Sequence, residues 1–225
     1  MFTFKRKPLV SEDMADWIED CFDWFAETFT QDAQLILPTK EFFVTPRDGS
    51  AEMAHGVASE VARYIGFDGP IVVEPLQMVA AEYRHNYQDM SDIAGTFQSA
   101  DGVAHIQYDP ELLNHPIRFI STMAHEVVHA LLEDHVSQMP GGEGAHELAT
   151  DLGCIIQGFG LFQLQAADDA GWSGYLSQGA RAFALATYLR RHSIAADVPE
   201  QFLSTRCKKL LRRAIAETKT SKEYP

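Results

Sequence analysis

Residues 117–132 read Ile-Arg-Phe-Ile-Ser-Thr-Met-Ala-His-Glu-Val-Val-His-Ala-Leu-Leu. The apolar positions Phe119, Ile120, Met123, Ala124, Val127, Val128, Leu131 and Leu132 recur every three or four residues, which predicts a helix with a buried face. Pro116 suits a first helical turn, so the helix is expected over about 116–134. His125 and His129 stand four residues apart and share a face, so both imidazoles can reach one ion. Glu126 is turned about 100° around the helix. Its carboxylate then lies beside that ion, placed to take a proton from a water on it. Two histidines and a carboxylate among apolar neighbours carry a desolvation cost. A satisfied polar cluster in the core is the plain alternative; a metal ion accounts for all three groups at once.

A catalytic metal needs a third protein ligand, and His₂Glu is one attested set. The candidates lie in Gly144-Ala-His-Glu-Leu-Ala-Thr-Asp-Leu152. Glu147 and Asp151 share a helix face, so Glu147 can bind the metal while Asp151 accepts a hydrogen bond from a ligand imidazole. Spacing favours that arrangement but leaves Asp151 or His146 open as the ligand.

His125-Glu126-x-x-His129 followed by Glu147-x-x-x-Asp151 resembles the gluzincin class of zinc metallopeptidases, over about residues 117–160. The resemblance implies Zn²⁺ held by His125, His129 and Glu147, Glu126 as the catalytic general base, and an Asp one turn later supporting a histidine. It implies a zinc-dependent metallopeptidase acting on a peptide or protein, in a minimal zincin-like domain. A second resemblance rests on Leu37-Pro-Thr-Lys-Glu-Phe-Phe43, the His-Glu-x-x-His helix, Thr150-Asp-Leu-Gly, Gly158-Phe-Gly-Leu-Phe162 and Gly174-Tyr-Leu-Ser177. These are similar to a family of bacterial cytoplasmic proteins presumed to be peptidase-like. The chain departs from gluzincins in lacking a clear Asn before Glu147. It also offers four candidates for stabilising an oxyanion, Tyr175, Tyr188, His105 and His192, with none singled out. A catalytically silent zinc module that senses or binds a partner is the alternative function. Iron is an alternative metal for such a donor set. A deformylase-type site is set aside, because its Cys ligand would have to be Cys21, within a predicted helix.

Working outward, the first half alternates helix and strand. Helices are expected over 11–30 and 51–65, the latter ending at Gly66. Strands are expected at 34–37 and 71–75, and a hairpin over 95–109 turning at Asp101-Gly102. The segment 104–109 is a candidate edge strand for aligning an extended peptide, or an ordinary packed strand. Helices follow near 145–166, 175–192 and 198–217. Gly158 and Gly160 inside the first of these point to close helix packing. Mixed α/β followed by mostly α predicts an α+β fold in a single domain, with an α/β lobe over 1–115 and a helical lobe carrying the metal site over 116–225.

The 225 residues, 46% hydrophobic and 22% charged, suit one domain with a sizeable core. A net charge of −14 argues against nucleic acid or an anionic membrane as partner. The charge is uneven: residues 206–225 carry +5, leaving −19 on the other 205. Leu203, Cys207, Leu210, Leu211, Ala214 and Ile215 form an apolar stripe there, so the basic residues read as the solvated face of a helix. Three cysteines at unpaired spacings argue against a disulfide framework. No apolar run of signal-peptide length follows Lys5, Arg6 and Lys7, and none is long enough to span a bilayer, so the expected compartment is the cytoplasm.

Overall fold

A computed structural model describes residues 7–29, 34–46, 48–76, 94–171 and 174–220. The architecture is α+β. Helix α1 spans Glu12–Thr28, with the Ser11 hydroxyl accepting the Met14 N–H at its start. Helix α2 spans Ala51–Ile65; Ser50 caps it in the same way and it ends at Gly66. Such a cap satisfies one of the backbone donors that a helix start leaves unpaired.

Strand β1 (Ile71–Pro75) pairs in parallel with β3 (Val103–Tyr108), and β2 (Gly95–Ala100) pairs antiparallel with β3. The order β1-β3-β2 puts β3 in the middle. The expected hairpin forms, with Asp101 at φ 53° and Gly102 at φ 74° making the turn. However, the strand suggested for edge pairing is central, and among the described residues β2 is the edge beside the histidine helix.

That helix, α3, runs Pro116–Leu132 with proline in its first turn. It packs against α2 and α5, with β2 and β3 laid along it. Its apolar face is buried in one continuous core that reaches from Ile18 to Ala214. Burying Phe119, Ile120, Met123, Val127, Val128 and Leu132 is worth roughly 1.5–3 kcal/mol each as an upper bound. That apolar burial holds in place the polar groups the same helix carries.

Two expectations are corrected. Residues 34–37 are not a strand; they are irregular backbone tied by Ile36 N–H to the Gly158 carbonyl at 3.0 Å. The expected helix near 145–166 is broken. Helix α4 (His146–Cys154) passes through a wide turn at 155–159 into α5 (Gly160–Asp169). Gly158 sits at φ 94° in that turn, and a Cβ on it would run into the Gln34 carbonyl. Only glycine adopts that backbone and admits that neighbour cheaply. Gly160 does serve close packing, because a Cβ there would meet Leu185 at 2.9 Å.

Helix α6 spans Gln178–Arg191, the short α7 Asp197–Glu200 and α8 Thr205–Thr220. Along the expected stripe of α8, Leu203, Cys207, Leu211 and Ala214 are buried, and the basic residues lie on its outer side. Among the described residues no helix is long and apolar enough to cross a membrane.

Candidate metal centre

Helices α3 and α4 bring His125, His129 and Glu147 together, at the positions the sequence suggested. His125 Nε2 and His129 Nε2 are 3.0 Å apart, and Glu147 Oε2 is 3.5 Å from the first and 3.3 Å from the second. A tetrahedral ion with bonds of about 2.0–2.1 Å sets its donors about 3.3–3.4 Å apart. The three atoms therefore form a triangle close to the size such an ion requires. Each side chain is half-buried or less exposed, with Glu147 the most open at 41%.

Each imidazole is held from behind. Asp151 Oδ1 lies 3.1 Å from His125 Nδ1, as expected of a support one turn after Glu147. Its other oxygen accepts from the Tyr175 N–H at 2.7 Å, the Leu176 N–H at 2.9 Å and Arg181 Nη2 at 2.8 Å. Arg181, 2% exposed, also donates to the Leu176 carbonyl at 2.6 Å. Asp151 is therefore fixed by three donors before it touches His125, which leaves Nε2 of that ring for the metal. Behind His129 stand His146 Nε2 at 3.3 Å from Nδ1 and the Thr150 hydroxyl at 3.4 Å. His146, left open as a ligand by the sequence, thus backs a ligand and lies outside the donor triangle.

Edge strand β2 closes the site from the side. Phe97 lies face to face with the His129 ring, 6.1 Å between centroids. Two residues earlier, Gly95 faces Glu126 and Thr122; a Cβ on it would come within 2.7 Å of both Glu126 Oε1 and Thr122 Cγ2. Glycine is therefore what admits the Glu126 carboxylate at this point. Across the site Tyr175 stacks parallel to His125 at 6.3 Å and is itself 56% exposed. Of the other oxyanion candidates, Tyr188 is fully buried against His192, and His105 faces away from the buried side of β3.

Burial and charge shift these groups apart. Glu126 is 4% exposed, and its burial, with Glu147 nearby, pushes its carboxyl up to about 7 against the pull of His125. Burial would lower His125, but hydrogen bonds to Asp151 and Glu147 outweigh it and raise the imidazole to about 10. His129, buried and beside that charge, is lowered to about 4. Burial opposes ionisation of Asp151, yet its bond to His125, with Arg181 and the Leu176 N–H, holds it below the usual carboxylate range.

Comparison of the chain with protein-family models, curated proteins and solved structures finds no match. Arg181, Gly95 and Phe97 were not singled out from the sequence. Arg181 does carry a signal: it is the one charge in Ala180-Arg-Ala-Phe-Ala-Leu-Ala186, and a charge in an apolar helix needs a partner. Gly95 and Phe97 carry none, because only the pairing of β2 beside α3 gives them their neighbours.

Proposed function

We propose that this chain is a zinc-dependent metallopeptidase with His125, His129 and Glu147 as ligands and Glu126 as general base. The observation that carries the reading is the donor triangle of 3.0, 3.3 and 3.5 Å with the Glu126 carboxyl alongside, raised to about 7. Zinc in that triangle would polarise a scissile carbonyl and acidify a water. Glu126, buried beside the triangle, is placed to accept that proton and return it to the leaving amine. Asp151, held by Arg181, keeps His125 oriented, and His146 with Thr150 does the same for His129.

The substrate is an extended peptide added to the side of β2 that has no paired strand among the described residues. That side carries exposed Gln98, Ser99 and Ala100 and leads from there to Gly95 beside Glu126. The test is zinc content and peptide hydrolysis for the wild type and Glu126→Gln. The variant should retain zinc and lose about 10²–10⁴ of the turnover. Wild-type turnover in the variant, or a purified wild type without affinity for zinc, would refute the reading.

A further inference from the structure

The three proposed ligands are not held alike. His125 has Asp151 behind it, and His129 has His146 and Thr150. Glu147 is the most open of the three. Among the described residues, its carboxylate has ion-pair partners only in the two ligand imidazoles. Its placement therefore rests on the backbone that leads into α4. That approach has no side-chain cap, either at Gly141, before the single turn 142–145, or at Ala145, before α4 itself. A helix start without a cap leaves backbone donors unpaired and is the less firmly held for it.

Residues 136–145 bond among themselves and to the end of α3. Gln138 and Met139 N–H donate to the His135 carbonyl, and Gly142 N–H to the Met139 carbonyl. Among the described residues, one hydrogen bond ties this stretch to a distant part of the chain: Trp17 Nε1, on α1, donates to the Pro140 carbonyl at 3.0 Å. The same helix grips the connection at its other end. Trp24 and Phe29 meet the His135 ring edge to face, at 6.3 and 5.3 Å between centroids. Phe25 lies against α4, where a Cβ on Gly153 would come within 2.8 Å of its ring. Beside the Trp17 bond the chain has little slack. Gly141 holds φ 89°, and a Cβ on it would meet Ala145 Cβ at 2.6 Å and the indole nitrogen at 3.4 Å.

We propose that Trp17 is a positioning residue of the metal centre: by holding Pro140 it sets the start of α4 and with it the third ligand, Glu147. The proposal rests on the metal reading above. Metal–ligand distances tolerate only about 0.2 Å, so slack at the start of α4 is felt at the ion. Trp17 then does for Glu147, through the backbone, what Asp151 does for His125 by direct contact.

The test is a double-mutant cycle on zinc affinity, read by competition with a chromophoric chelator. Trp17→Phe keeps an aromatic ring and removes the N–H. It should weaken zinc binding about tenfold, the low end of what loss of a ligand's support brings. Glu147→Ala removes the ligand through which Trp17 acts; the side chain is 41% exposed, so the variant should fold. In that background Trp17→Phe should change zinc affinity less than about twofold. Gly141→Ala disturbs the same connection without altering α1, and it carries the test if Trp17→Phe is too unstable to titrate. It too should weaken zinc binding with Glu147 present and have less than about a twofold effect without it. A tryptophan that only packs would lower the urea midpoint of chelator-treated protein and leave the cycle additive. An additive cycle, or unchanged zinc affinity in Trp17→Phe, would overturn this proposal alone. A wild type with no affinity for zinc would overturn it together with the metal reading.

Discussion

Replacing Asp151 by Asn is the sharpest test of how the centre is held. Asparagine keeps the shape and, with its single oxygen, the capacity to accept from the Tyr175 and Leu176 amides; its NH₂ then faces His125 Nδ1, so the perturbation removes the charge and the acceptor for that ring. Two buried charges depend on it: Arg181, 2.8 Å away with side-chain exposures of 2% and 3%, and His125, 3.1 Å away. Removing one partner of a buried ion pair typically costs about 3–5 kcal/mol, because the other charge stays behind unmet. The expected loss in chelator-treated protein, read from urea unfolding, is therefore about 3–5 kcal/mol. Loss of the group that orients a ligand imidazole typically weakens metal binding about 10–100-fold, read by competition with a chromophoric chelator. Arg181→Met separates the two effects. It should cost comparable stability while leaving Asp151 on His125 through its two backbone donors, so zinc affinity should fall less. In the double variant Asp151→Asn/Arg181→Met the guanidinium is no longer stranded, and stability should recover in part, a non-additivity that the cycle measures directly. If Asp151→Asn costs less than about 1 kcal/mol and zinc affinity is unchanged, the clasp is not what orients His125.

The raised His125 makes metal binding a proton-release reaction. In metal-free protein its folded value of about 10 lies above the ordinary 6.5, so its stabilising charge is fully present below about pH 6.5 and is lost as pH rises through about 10. Chelator-treated protein should therefore lose stability progressively between about pH 6.5 and 10. At pH 7.5 zinc should displace about one proton, measured by calorimetry in buffers of different ionisation enthalpy; zero release would contradict the His125 assignment. Gly95→Ala puts a methyl within 2.7 Å of Glu126 Oε1 and Thr122 Cγ2. It should cost about 1–3 kcal/mol and lower kcat about 10²-fold with zinc retained, and unchanged kcat would remove Glu126 from the chemistry. Gly158→Ala, forced to φ 94° against the Gln34 carbonyl, should destabilise by at least about 1–3 kcal/mol in thermal melts without altering metal stoichiometry in the folded fraction.

What was legible in the sequence was local. The α3 helix announced itself through its own period and Pro116, the end of α2 through Gly66, and the hairpin through Asp101-Gly102, each within about one helical turn or one loop of itself. The shared face of His125 and His129, and that of Glu147 and Asp151, were legible for the same reason, since helical spacing sets which face a residue occupies. What failed was long-range. Gln34-Leu-Ile-Leu37 has the composition of a strand, but a strand exists only where another strand accepts its hydrogen bonds, and here Ile36 N–H instead bonds a kinked helix turn more than 120 residues away. The same turn is why the expected 145–166 helix was read as unbroken: a glycine at φ 94° looks no different in sequence from one that merely packs closely. Arg181 shows how the two kinds of information can meet. Its sequence environment states that a partner must exist, and only the fold states that the partner is Asp151, 30 residues back. A charge placed alone in an apolar helix is thus the half of a buried contact that a sequence does reveal. Pairing such charges with the carboxylates of a recognised metal helix is a physical rule by which the support of the site, and not its ligands alone, becomes readable.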